Sequence, residues 1–198
     1  MRYDGWKVRG ITGDGIWLWL IVGVLMLNMS CSDRQPEAVS RFREGDPFPA
    51  LVLTRLDGGQ VSFEKFNDKV VLLNIWATWC APCRKELPSL ERLSKVLDAK
   101  RFTVIGLSID NDDHVVREYL IDKGIGLTSY IDEDASIATD VLGVTKYPDT
   151  FVIAPGGRFV YHVVGDREWD TPAMEAALEE VYRGSSASLK KVSAARHE

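Results

Sequence analysis

"NIWATWCAPCRKELPSL", residues 74–90, places two cysteines, separated only by Ala81 and Pro82, beside Trp76 and Trp79 and ahead of the charged run Arg84-Lys85-Glu86. It overlaps a nearly continuous apolar run, "KVVLLNIWA" at 69–77, which suits a strand buried on both faces of a sheet. Downstream, Leu87, Leu90, Leu93 and Leu97 recur at helical spacing and predict a helix from about Ala81 to Leu97, kinked at Pro88. Cys80 therefore falls where a buried strand hands over to a helix.

That position bears on whether the cysteines are a redox couple, half of a metal site or two small buried residues. The unpaired N–H groups and positive dipole end of a helix N-terminus favour a thiolate at Cys80, the predicted nucleophile. Cys83, one turn deeper, is spaced to attack a mixed disulfide formed by Cys80. A zinc site needs two further ligands, whereas His114, His162 and His197 lie singly in the sequence. No metal is expected, and no cofactor beyond the Cys80–Cys83 disulfide.

Working outward, "ALVLTRLDGGQVSF" predicts a β-hairpin around Asp57-Gly58-Gly59. "RFTVIGLSID" predicts a second buried strand, followed by a helix from Asp113 to Lys123 that ends at Gly124. "LTSYID" reads as a short strand and "ASIATDVLG" as a short helix stopped by Gly143. "TFVIA" and "FVYHVVG" flank Pro155-Gly156-Gly157 as a hairpin, and a final amphipathic helix begins at Thr171 as N-cap, with Pro172 first inside it. This order predicts an α/β sheet with helices on both faces and an antiparallel edge.

The chain has 198 residues, 45% of them hydrophobic, and a formal charge of −5. That is enough for one domain with appendages, and it argues against a sequence-independent grip on nucleic acid, which needs a clustered cationic surface. Residues 1–31 read as a signal peptide or membrane anchor: Arg2, Lys7 and Arg9 precede the uncharged "IWLWLIVGVLML" at 16–27. "LNMSCSD" resembles a bacterial lipoprotein processing site that would lipidate Cys31, although Asn28 stands where an aliphatic residue is usual. Lipidation, an uncleaved anchor and simple cleavage all place the domain outside the cytoplasm. Residues 32–44 read as a tether, 45–184 as the domain and 185–198 as a disordered tail. The domain then retains only Cys80 and Cys83, so no additional structural disulfide can form within it.

"NIWATWCAPCRKELPSLERL" resembles the active-site signature of the thioredoxin superfamily, and "CRKELPSL" resembles most its exported TlpA/ResA-type branch, over roughly Gly45 to Arg183. The resemblance implies a thioredoxin fold with an N-terminal β-hairpin extension and a central strand–helix insertion between Cys83 and Pro148. It implies that Trp79, Cys80 and Cys83 form the reactive core, that Ala81 and Pro82 tune the potential, and that Glu86 handles protons. Glu86 lies one turn beyond Cys83 and suits proton acceptance if burial raises its pKa; the alternative is a solvated charge paired with Arg84 or another neighbour. Asn74 occupies the place of a titrating aspartate in cytoplasmic thioredoxins and cannot titrate.

The same resemblance makes Pro148, after Tyr147, the cis-proline that positions an extended substrate, with Asp149 where relatives often carry threonine. Trp79 is expected on the substrate-facing surface and Trp76 in the core. The acidic clusters "DNDD" at 110–113 and "DEDA" at 132–135 lack EF-hand spacing and read as solvated loop ends, and His114 and His162 as surface or sheet residues.

The implied protein is a membrane-tethered, extracytoplasmic thiol–disulfide oxidoreductase. It is expected to act as a reductant, because no histidine sits between the cysteines to stabilise a strongly oxidising enzyme's thiolate. Implied partners are a disulfide-containing protein, such as an apocytochrome c or a copper-site protein, and a membrane thiol electron donor. Two rivals remain: a thiol-dependent peroxidase of the same fold, for which "NIWATWC" lacks a Pro-x-x-x-Thr-x-x-Cys setting, and a partner-binding lipoprotein without turnover.

Overall fold

Every residue of strand β3 (Val70–Trp76) is buried, and the rest of the fold is arranged around it. The computed structural model describes residues 41–195. The signal or anchor at 1–31, Cys31, residues 32–40 of the tether and residues 196–198 lie outside the described residues. Among the described residues, no helix is long and apolar enough to cross a membrane.

The strands are β1 (Val52–Arg55), β2 (Gln60–Ser62), β3, β4 (Phe102–Ser108), β5 (Ser129–Ile131), β6 (Asp149–Ala154) and β7 (Arg158–Val164). They form one sheet in the order β2-β1-β5-β4-β3-β6-β7. The central strands β3, β4 and β5 are parallel; β1 runs antiparallel to β5, and β6 runs antiparallel to both β3 and β7. The N-terminal hairpin β1–β2 is present, strands and a helix lie between Cys83 and Pro148 where a central strand–helix insertion was expected, and the fold is thioredoxin-like.

Four helices follow in chain order: α1 (Ala81–Val96), α2 (Asp113–Asp122), α3 (Pro172–Tyr182) and α4 (Ala187–Ala194). Helix α1 runs through Pro88. Thr171 caps α3 by accepting from the Met174 N–H at 3.2 Å. All four helices contribute buried side chains to one core: Leu87, Leu90 and Leu93 from α1, Val116 from α2, Leu178 from α3 and Leu189 from α4. Each such side chain is worth about 1.5–3 kcal/mol on burial, so this layer carries much of the fold's stability.

Two expectations change here. Helices were expected on both faces, but the second core, around Ile75, Leu107 and Phe151, is packed by Phe42 and Phe48 from the segment before β1, a 3-10 turn at Phe63–Phe66 and a π turn at Ile137–Val141. The turn at Ile137–Val141 stands where a short helix was read. The tail was expected to be disordered from Ser185, yet residues 187–194 form α4: Leu189 is fully buried and Val192 packs against the same core. The domain also starts earlier than Gly45, because Phe42 stacks against Phe48 and Phe159. These short segments carry too few apolar residues to announce themselves by periodicity; the surface left open by their neighbours orders them.

Candidate active site

β3 ends at Trp76 and a tight turn, Ala77–Trp79, delivers Cys80 to the head of α1. Asp110, two residues beyond the end of β4, holds that turn: its carboxylate accepts from Thr78 N at 2.9 Å, Thr78 Oγ1 at 2.7 Å and Ser108 Oγ at 2.6 Å. Asp110 is buried, so the first residue of "DNDD" is an interior anchor where a solvated loop end was expected. Asp132, first of "DEDA", is likewise buried and accepts from the Ile137 and Ala138 N–H groups. Both carboxylates bind the backbone of the following or facing turn.

Cys80 is the N-cap of α1, its Sγ accepting from Cys83 N at 3.3 Å. The two sulfurs are joined at 2.04 Å, with the Cα atoms 5.3 Å apart. Cys83 is completely buried while Cys80 retains 7% exposure, so an incoming thiolate or disulfide meets Cys80 first. Ala81 and Pro82 are exposed beside it. Trp79 is 60% exposed and meets the Tyr147 ring edge-on at 6.1 Å, while Trp76 is fully buried. The Tyr147–Pro148 bond is cis. Trp79, Cys80, Tyr147 and Pro148 therefore gather at one end of β3 and β6.

Glu86 lies one turn beyond Cys83 and is 1% exposed. Its Oε1 accepts from Asn74 Nδ2 at 2.7 Å, and its Oε2 accepts from Trp169 Nε1 at 3.0 Å and Arg167 N at 3.3 Å. Asn74 also donates to Thr150 Oγ1 at 2.9 Å, and Ser89 Oγ ties the Glu86 carbonyl to the Trp169 N–H. Burial pushes the Glu86 carboxyl up to about 7, against the opposing pull of the Trp169, Asn74 and Arg167 donors and the Arg167 charge. Desolvation wins because the donors are mostly neutral. The solvated pairing with Arg84 is overturned: Arg84 instead donates to the Thr78 carbonyl at 3.1 Å.

On the opposite face of β6, Asp149 is buried, and its carboxylate lies 3.2 Å through each oxygen from His162 Nδ1. Burial raises the Asp149 pKa and His162 pulls it back. His162 is thus a sheet residue with a carboxylate partner, while His114 sits on α2 against Arg117 at 2.9 Å.

Sequence reasoning singled out Cys80, Cys83, Glu86, Trp79, Tyr147 and Pro148, and the structure brings them together at one end of the sheet. It missed Trp169, Arg167 and Thr150 as partners of the Glu86 cluster. Strand alternation puts Thr150 on the face opposite Asp149, but only the pairing Asn74↔Thr150 shows whose neighbour it is. Among the described residues no group of three or more His, Cys, Asp or Glu side chains is arranged to hold a metal ion. A cleft of about 390 Å³ lined by Arg55, Lys65, Arg117 and Tyr130 contains none of the site residues.

A Redoxin family model matches residues 43–179. The chain is similar to the thiol-disulfide oxidoreductase ResA of Bacillus anthracis, 31% identical over 123 residues that cover 62% of this chain and 70% of the relative. It is also similar to the thiol:disulfide interchange protein DsbE of Yersinia pestis, 30% identical over 179 residues, covering 86% and 92% of the two chains. The crystal structure of a thiol:disulfide interchange protein of the thioredoxin family from Chlorobium tepidum TLS matches with a TM-score of 0.57 at 25% identity, covering 72% of this chain and 97% of that one.

Proposed function

This chain belongs to the Redoxin family as a thiol–disulfide oxidoreductase of the TlpA/ResA type in the thioredoxin superfamily, and from that premise we propose that it is a membrane-tethered, extracytoplasmic reductant of protein disulfides. The observation that carries the mechanism is the buried Glu86, one turn beyond the buried Cys83, with a pKa of about 7.

In the reduced enzyme, the Cys80 thiolate, favoured by the Cys83 N–H and the head of α1, attacks one sulfur of a substrate disulfide. A Cys80–substrate disulfide forms and one substrate thiolate leaves. Cys83 then gives its proton to Glu86 and attacks Cys80 Sγ, releasing the second substrate thiolate. Two electrons have passed to the substrate, and the enzyme rests as the Cys80–Cys83 disulfide. A carboxylate with a pKa near the working pH is a good acceptor for that proton.

Trp79, Tyr147 and Pro148 bind the substrate chain, and Ala81 and Pro82 tune the potential. No metal or organic cofactor is needed. The N-terminal apolar segment, with Cys31 as lipid attachment point, tethers the domain. The substrate is a protein disulfide, with the haem-binding cysteines of an apocytochrome c or the cysteines of a copper-site protein as the candidates, and a membrane thiol carrier restores the dithiol.

Expressing a Cys83→Ala variant in the native host and identifying what stays disulfide-linked to Cys80 tests this. A defined exported partner is expected, with the wild-type pair found reduced. Non-specific adducts, together with a wild-type pair resting oxidised, would sink the reductant reading.

A further inference from the structure

The segment carrying Pro148 is held from both faces of the sheet. Asp149 and Thr150 are consecutive, so their side chains leave β6 on opposite sides. Thr150 joins the Asn74–Glu86 cluster, while Asp149 turns to His162. In register, Asp149 faces Ile75 of β3 and Val164 of β7, and His162 faces Phe151. Asp149 and His162 are therefore diagonal neighbours on one face, within reach across the strand pair. The Gly165 N–H donates to the Pro148 carbonyl at 2.8 Å, so the residue directly after β7 holds the residue before Asp149 as well.

Two phenylalanine rings flank the pair: the His162 ring lies 5.5 Å from the Phe151 ring and 6.4 Å from the Phe159 ring. The His162 side chain is 12% exposed and that of Asp149 is 4% exposed. A buried carboxylate–imidazole pair is a poor source of stability even when charged, because desolvation offsets most of the attraction and apolar side chains of similar volume do as well or better. What such a pair supplies is a defined arrangement of the two elements that carry it. Here those elements are the first residue of β6, directly after the cis-proline, and the middle of β7.

We propose that Asp149 and His162 are positioning residues for protein substrates: by tying the start of β6 to β7, the pair fixes the line of the Tyr147–Pro148 backbone on which an extended substrate chain is laid. The inference rests on the reading of Pro148 as the substrate-positioning residue. It separates two demands. A protein disulfide must align its backbone with this segment, whereas a small aromatic disulfide has no chain to align and needs only access to Cys80.

The test compares dithiothreitol-driven reduction of insulin with the reaction of the reduced enzyme with 5,5′-dithiobis(2-nitrobenzoate), using wild-type, His162→Leu, Asp149→Ala, the double variant Asp149→Asn/His162→Gln, and Pro148→Ala. His162→Leu leaves Asp149 without its partner; KM for insulin is expected to rise about five-fold with kcat within about two-fold, the size of effect that follows from losing one hydrogen-bonded anchor. The rate with the small disulfide is expected to stay unchanged. Asp149→Ala, which removes the tie from the β6 side, gives the same split if His162→Leu does not fold. The double variant, with an uncharged pair of hydrogen-bonding side chains, is expected to recover most of the insulin KM. An unchanged insulin KM in the folded single variants overturns the proposal, as does a parallel loss with both substrates. If Pro148→Ala raises the insulin KM while the pair variants do not, only this inference falls. If Pro148→Ala has no effect, the reading of Pro148 falls and the inference with it.

Discussion

Two buried carboxyl groups flank the same stretch of sheet, one on each face, and their surroundings differ in kind. Glu86 is caged by an amide, an indole N–H and a backbone N–H, with the charge of Arg167 acting only as a minor influence. Asp149 meets a side chain that can itself carry charge, His162. Neutral donors partly repay the desolvation of a carboxylate without dictating its charge, so Glu86 is left with a pKa of about 7, free to take and release a proton. An ionisable partner couples the charges of the two groups and, in the proposal above, makes a buried acid a tie between strands. On the proposed reading, the partner, more than the depth of burial, decides whether a buried acid serves as a proton acceptor or as an anchor.

The comparison is sharpened first at the cysteines, which it presupposes. Cys80→Ser is expected to reduce insulin turnover to background while leaving the fold intact by circular dichroism; retained turnover would remove the dithiol mechanism and with it any catalytic meaning for Glu86.

Glu86→Gln comes next. It keeps the size and removes the titration, although one acceptor oxygen becomes an NH2 group, so resolution of the mixed disulfide at pH 7 is expected to slow about 100-fold, with loss of the pH-dependent limb in stopped-flow measurements. The same variant reports on stability. Glu86 has a folded pKa raised from 4.5 to about 7, so the native state holds a proton that the unfolded chain releases between those values. Its contribution is complete below about pH 4.5 and is lost as pH rises through about 7, a difference of about 3 kcal/mol. Wild-type minus Glu86→Gln unfolding free energies, from urea titrations of the oxidised proteins across that range, should therefore fall as pH rises. A flat difference would mean that Glu86 does not titrate there.

Trp169→Phe removes one neutral donor and keeps most of the ring, so the Glu86 transition should move upward from about 7, with a loss near 1 kcal/mol at alkaline pH. A downward movement in the pH–rate profile would show that water had entered and that the indole acts as a plug more than as a donor. The smallest effect is expected at Lys85, whose 2.7 Å pair with Asp166 is exposed. Lys85→Ala should leave both the urea midpoint and the Glu86 transition where they are, because an exposed pair of this kind is screened.

Much of the site was legible because its chemistry is local. The handover from β3 to α1 and the spacing of Cys80, Cys83 and Glu86 all lie within one strand and one helix, where period-two and 3.6-residue patterns speak directly. Trp169 was not legible. It reaches Glu86 from beyond β7, and nothing between Gly165 and Thr171 distinguishes an indole aimed at a carboxylate from one filling the core. Arg167 is further removed still, since its guanidinium donates to the Ser193 carbonyl of α4, in a segment whose composition suggested a disordered tail. His162 read as an isolated histidine because its partner, Asp149, lies across a hairpin whose register is set by a bulge between Val152 and Ile153. The acidic clusters misled for the opposite reason: a run of aspartates suggests solvent, and only the fold turns Asp110 and Asp132 inward to bind backbone N–H groups.

The sequence by itself determined that a dithiol stands at the head of a helix after a buried strand, because that arrangement depends on residues within a few positions of one another. The tertiary structure decided the electrostatics around it. Whether Glu86 is solvated or buried, and which donors and which charges surround Glu86 and Asp149, depends on segments from β6 to α4 folding back onto β3 and α1. A pKa is set by what surrounds a group in space, and that information is distributed over the whole domain.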